Sequence, residues 1–179
     1  MELRLPPKAN IARTPTPLER LEYIAPGLEN FEIHLKREDL TGSILQGNKI
    51  RKLEYFLPDC HAHGADTLIT CGGLQSNHCR AVACLAAMKG LNAYLLLRGE
   101  KPTMPQANYL LDKLVGAQIE FITAADYLHV DEIMAERARK MESEGLKPYV
   151  IPEGGSNALG MCGYFDCDYN RQAKQKARC

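Results

Sequence analysis

Four short apolar runs punctuate the chain: DTLIT from Asp66, AYLLL from Ala93, IEFI from Ile119 and YVI from Tyr149. They recur at intervals of roughly 25 to 30 residues, enough for a strand, a loop and a helix each time. Helical spacing fills two of the intervals. Val82, Leu85 and Met88 follow one another before Gly90, and Val130, Met134, Ala138 and Met141 do so before Gly145. Strand and helix in alternation predict parallel strands joined by right-handed crossovers, and so an α/β fold, an open parallel sheet with helices on both faces. Ligands then gather at the carboxyl ends of the strands.

The amino-terminal part has a different rhythm. FEIHLK, from Phe31, alternates like a fifth strand, but Pro6, Pro7, Pro15 and Pro17 precede it in an extended lead-in, which points to a separate layer. Next, GNKIRKLEY opens a helix in which Ile50, Leu53, Phe56 and Leu57 form the apolar face and Asn48 is a candidate cap. Pro58 falls inside that helix and predicts a kink or a stop near Leu57.

Composition adds exclusions. The 179 residues carry 22 Lys+Arg against 22 Asp+Glu, so nothing suggests a broad nucleic-acid or anionic-membrane surface. No apolar run approaches the roughly 20 residues of a spanning helix, and the amino terminus lacks the apolar region of a signal peptide. A cytoplasmic location is the resulting expectation. Seven cysteines, scattered and without a C-x-x-C pair, read as reduced, mostly buried thiols, and the histidines show no metal-ligand spacing.

Two stretches can carry chemistry. CGGLQSNH, residues 71 to 78, is a glycine-rich turn from the first strand into a helix, with Ser76 or Asn77 as the cap. Such a turn offers free N–H groups and a positive helix end to an anion, although an ordinary capped βα turn has the same sequence. It lacks both the dinucleotide and the Walker pattern, so a small carboxylate suits it better than a nucleotide. The second stretch is Lys49, with Arg51 and Lys52 close behind. These cations are either solvated charge on an exposed face, or a device that disfavours the ammonium form of one lysine, as Schiff-base chemistry requires.

Taken together, TPTPL, KREDL, GNKIRKLEY, GADTLITCGGLQSNH and KPYVIPEGGSNALG, in this order and at these spacings, resemble the pyridoxal-phosphate enzymes of the 1-aminocyclopropane-1-carboxylate deaminase and D-cysteine desulfhydrase family, of tryptophan synthase β-like fold (fold type II). The resemblance runs from about Arg13 to Gly163. It implies pyridoxal 5'-phosphate as cofactor and no metal. Lys49 matches the lysine that carries the cofactor as a Schiff base, beside Asn48. Ser76 and Asn77 match residues that hold the substrate carboxylate, Asn77 also reaching the cofactor's ring oxygen, and His78 follows in the same substrate loop. The implied reaction is elimination and deamination of a small amino acid to a 2-oxo acid and ammonia, with hydrogen sulfide when the substrate is D-cysteine. A homodimer is open for full-length members.

By the same resemblance, residues 1–46 belong to the large cofactor domain, 47–160 to the small α/β domain with the lysine and the carboxylate loop, and 161–179 to a divergent polar tail. Gln46 stands where the family usually has a glycine. Family members are about twice as long, and their second half carries the phosphate loop and an acid–base tyrosine. A truncated chain is therefore expected, with weak cofactor binding and no turnover of its own. The alternatives are a non-catalytic fragment serving as a binding or interaction module and, on fold rhythm alone, a nucleotide-binding domain.

Overall fold

The computed structural model describes residues 4–22, 26–28, 30–45 and 47–165. Gln46 and residues 166–179, with most of the expected polar tail, lie outside them. Strands β1 (Leu18–Arg20) and β2 (His34–Lys36) pair antiparallel as a small sheet of their own, Leu18 opposite Lys36. The expected strand from Phe31 is thus shorter than its alternation suggested, and does sit in a separate layer. A 3-10 turn at Glu38–Thr41 leads to helix α1 (Lys49–Ala62). The chain then runs through β3 (Thr67–Gly73), α2 (Asn77–Lys89), β4 (Asn92–Arg98), α3 (Ala107–Leu114), β5 (Gln118–Ile122), α4 (Val130–Ser143) and β6 (Pro148–Val150). Residues 158–165 are helical (α5).

Strands β3 to β6 form one parallel sheet in the order β5-β4-β3-β6. From β3 the chain builds outward through β4 and β5, then returns to place β6 on the other side of β3. The winding therefore reverses between β3 and β6, and their carboxyl ends frame the crevice where open α/β sheets hold ligands. Alternation along the strands divides the core in two. Leu68, Ala93, Leu95 and Leu97 face α1, α2 and Tyr109 of α3, while Ile69, Cys71 and Leu96 face Val130, Met134 and Met141 of α4. Helices cover both faces, as the pattern predicts.

Helix α2 runs to Lys89 and ends at Gly90, as the spacing predicts. Met88 is 62% exposed, because steps of three residues drift round a helix of 3.6 per turn, and by Met88 the drift from Val82 has left the buried face. One local expectation fails for a physical reason. Pro58 does not stop α1, which continues to Ala62. The bond that Pro58 cannot donate would go to the Glu54 carbonyl, and Ala9 N–H donates there instead at 2.7 Å. The Glu54 carboxylate also accepts from the N–H groups of Ile11 and Ala12, both at 2.8 Å, so the extended lead-in is stitched along the helix at its weak point. Cys60, Cys71, Cys79 and Cys84 are buried free thiols, and burial pushes Cys60 and Cys71 up to about 11 and Cys79 to about 12.

Candidate active site

Lys49 is the first residue of α1. Asn48, at the cap position, is exposed, has helical backbone angles and makes no side-chain cap bond, so its expected capping role is not found. The three cations after it have separate fates. Arg51 is only 3% exposed: its Nε and Nη2 donate to the two Glu38 carboxylate oxygens, and Nη2 also reaches Thr16 Oγ1 at 3.1 Å. It is a neutralised buried charge, and the reading of Arg51 as exposed crowding on Lys49 is corrected. Burial alone would raise the Glu38 carboxyl, but hydrogen bonds from Arg51 and Thr16 outweigh it and hold the group below its ordinary range. Lys52 remains beside Lys49, its pKa lowered by burial first and by the Lys49 charge second.

Both lysines end at the turn after β6, which lies within the KPYVIPEGGSNALG stretch. Gly154 and Gly155 lie consecutively in the left-handed region, φ 64° and 60°. That conformation suits glycine and turns the Gly154 carbonyl toward α1. It accepts from Lys52 Nζ at 2.9 Å and Lys49 Nζ at 3.4 Å, and Lys52 Nζ also donates to Ser156 Oγ at 3.0 Å. A Cβ on Gly154 would come within 3.2 Å of Lys49 Nζ, so the absent side chain is what leaves room for the amine. Tyr127 Oη steadies the turn from the neighbouring layer by donating to Glu153 Oε1 at 2.6 Å.

Across the crevice, the turn after β3 depends on Gly72. A Cβ there would meet Ser76 Oγ at 2.6 Å and Cys79 Sγ at 2.8 Å, whereas Gly73 has open space around it. Close approach rather than backbone angle is therefore the requirement, and it falls on one of the two glycines. Ser76 is the cap of α2, its Oγ accepting from Cys79 N–H at 3.2 Å. Asn77 is exposed, and its Oδ1 accepts from Asn108 Nδ2 at 2.8 Å. An open concavity of about 400 Å³, lined by Leu74, Gln75, Pro102, Thr103, Met104 and Gln106, flanks this loop, and Lys49 is not part of its lining.

His78 is buried, 2% exposed. The Thr70 hydroxyl donates its one proton to the Ile151 carbonyl at 2.8 Å, so at 3.0 Å it accepts from His78 Nε2–H. The tautomer follows, with Nδ1 a buried acceptor that makes no hydrogen bond among the described residues. Burial, then the charges of Lys49 and Lys52, lower the His78 pKa to about 3 against the opposing Pro152 carbonyl, so the ring is neutral. The fold thus gathers Lys49, Lys52 and His78 around Gly154 and Gly155, with Ser76 and Asn77 leading into the helix that carries His78. The arrangement offers a lysine amine, a buried neutral imidazole against the same glycine turn and a capped helix start suited to a carboxylate.

A family profile described as pyridoxal-phosphate dependent enzyme matches residues 10–169. The chain belongs to this family. It is 46% identical over 160 residues to a Thermotoga maritima protein provisionally named 1-aminocyclopropane-1-carboxylate deaminase, covering 89% of this chain and 50% of that protein. It is 43% identical over 165 residues to the mitochondrial bifunctional D-cysteine desulfhydrase/1-aminocyclopropane-1-carboxylate deaminase of Arabidopsis thaliana, covering 88% of this chain and 41% of that one. The crystal structure of an ACC deaminase homologue superposes with a TM-score of 0.78 at 40% identity, over 90% of this chain and 49% of that chain. The chain spans about half the length of the curated relatives it matches. Its sheet and helices are those of part of a fold type II pyridoxal-phosphate enzyme.

Proposed function

We propose that this chain supplies the lysine and the substrate-carboxylate loop of a pyridoxal-phosphate-dependent lyase acting on a small amino acid. The reaction is D-cysteine desulfhydrase-like, giving pyruvate, ammonia and hydrogen sulfide, or 1-aminocyclopropane-1-carboxylate deaminase-like. The observation that carries the reading is the convergence of Lys49 and Lys52 on the Gly154 carbonyl at the switch point of the sheet. Residues 1–46 would belong to the cofactor domain, 47–160 to the small domain and 161–179 to a divergent tail. No helix among the described residues is long and apolar enough to cross a membrane; a cytoplasmic location and a homodimer in the full-length family complete the proposal.

The residues present fit the aldehyde end of the cofactor. Gly154, lacking a Cβ, leaves room at the Lys49 amine, and Lys52 adds a positive charge beside it, whereas Arg51, spent on Glu38, has none to spare for a phosphate. When bound, pyridoxal phosphate supplies an electron sink for the bonding pair left at the substrate's α-carbon. Lys49 would hold the cofactor through its Nζ and move protons at that atom. Ser76 Oγ, already accepting from Cys79 N–H, keeps its own hydroxyl proton to donate to a carboxylate. Asn77 donates from Nδ2, and neutral His78, buried behind the loop's helix start, supports it without competing for the anion. Asn48, exposed beside Lys49, would line the cofactor's edge.

Titration with pyridoxal phosphate tests the reading. A visible band that grows in the wild type and is lost in Lys49→Ala is expected, and an equal band in both overturns it. The half-length coverage favours a second reading, binding without catalysis by this chain alone. Sulfide release from D-cysteine by the loaded chain decides between the two.

A further inference from the structure

Asn108 is 31 residues from Asn77 in sequence, yet two of its atoms make three hydrogen bonds to the substrate-carboxylate loop. Its backbone N–H donates to Gln75 Oε1 at 2.9 Å, and its Nδ2 donates to the Gln75 carbonyl at 2.9 Å and to Asn77 Oδ1 at 2.8 Å. Gln75 Nε2 completes the cluster by donating to the Gln106 carbonyl at 3.2 Å. Side-chain amides can usually be turned end for end without loss, but backbone groups cannot change role. The Gln75 carbonyl can only accept, so the Asn108 atom facing it is the nitrogen. That nitrogen can only donate, so the Asn77 atom facing it is the oxygen. The Asn108 N–H and the Gln106 carbonyl fix the Gln75 amide by the same logic. Ala107, just before Asn108, is the non-glycine residue found at positive φ (48°) among those described, and the kink aims both Asn108 donors at Gln75.

We propose that Asn108 is a positioning residue that sets the orientation of the Asn77 amide, committing its oxygen to the α3 side and reserving its Nδ2 donors for an anionic or phenolate oxygen in the crevice. This rests on the assignment of Asn77 to the site and deepens it. An Asn77 that turned freely would present its oxygen to that anion half the time, as repulsion. With Asn108 in place only donors face it. Specificity for an anion over a donor-bearing ligand thus comes from a residue that touches neither substrate nor cofactor.

The test is ¹⁵N NMR of the side-chain amides in the whole chain with nothing added, comparing wild type, Asn108→Leu and Asn108→Asp. In the wild type the Asn108 amide protons should exchange with water about fivefold more slowly than those of Asn77, as one hydrogen bond of ordinary strength implies. In Asn108→Asp, above about pH 5 where the new carboxylate is ionised, Asn77 should reverse and its own protons become the protected ones. The thermal midpoint should hardly move, since the cluster is solvent-exposed; a merely structural residue would shift the midpoint and leave the Asn77 protons alone. Asn77 amide exchange that is the same in all three proteins overturns the proposal. A parallel arm, borohydride trapping of pyridoxal phosphate on Lys49, does not depend on the Asn77 orientation. Its failure with the NMR result intact removes the assignment of the site, whereas failure of the NMR result with Lys49 labelled removes the role of Asn108.

Discussion

His78 shows how much the meaning of one residue depends on neighbours far away in sequence. A histidine at a helix start beside a glycine turn reads as a ligand contact, but Thr70 and the Ile151 carbonyl fix it as a buried neutral ring. Its charge state has a consequence for stability. The folded pKa of about 3 lies below the ordinary value of 6.5, so the protonated ring favours the unfolded chain. The stabilisation is complete above about pH 6.5 and is lost as pH falls from there toward 3. Urea unfolding at a series of pH values should show this slope, and His78→Gln should flatten it between pH 6.5 and 5. An unchanged slope would mean that the ring is solvated. Gly72 gives a second prediction at this scale. Gly72→Ala must push Ser76 off its cap, costing about 1–3 kcal/mol, and the melting temperature should fall while Gly73→Ala is nearly silent.

At the level of elements, the parallel strands and two of the crossover helices were legible because each is specified by its own residues: apolar runs of strand length and periodic stretches stopped by Gly90 and Gly145. What escaped the sequence was tertiary. The Pro58 stop is overridden by Ala9, 49 positions earlier, and the exposure expected for Arg51 is cancelled by Glu38 in the preceding turn. Ala9→Pro would remove the donor to the Glu54 carbonyl and leave a helix group unpaired, and we expect a loss of about 1–3 kcal/mol in chemical denaturation. Glu38→Gln removes the carboxylate charge that faces the buried Arg51 guanidinium and should cost about 3 kcal/mol at neutral pH. The Glu38 pKa is depressed in the folded state, so its contribution is present above the unfolded value near 4.3 and is lost as pH falls through the lower folded one. The two unfolding curves should therefore converge in acid, and a constant difference down to about pH 2 would contradict the ion pair.

For the molecule as a whole, the sheet order decides where chemistry can happen. Winding outward from β3 and returning as β6 leaves one crevice, and the turns at its two sides carry Ser76 and Asn77 on one and Gly154 on the other, with Lys49 delivered by the helix that precedes the sheet. Family membership and the lysine segment were readable from short motifs. The Gly154 turn and the Asn108 clasp were not, because their partners lie about a hundred and about thirty residues away. The central claim is that the fold singles out Lys49 among the chain's lysines. It is tested most directly by incubating the protein with pyridoxal phosphate, reducing with borohydride and mapping the pyridoxyl group by mass spectrometry. Enrichment at Lys49, retained in Lys52→Arg and abolished in Lys49→Ala without transfer elsewhere, is the expected result; a label spread evenly over the lysines, or centred on Lys52, would contradict it.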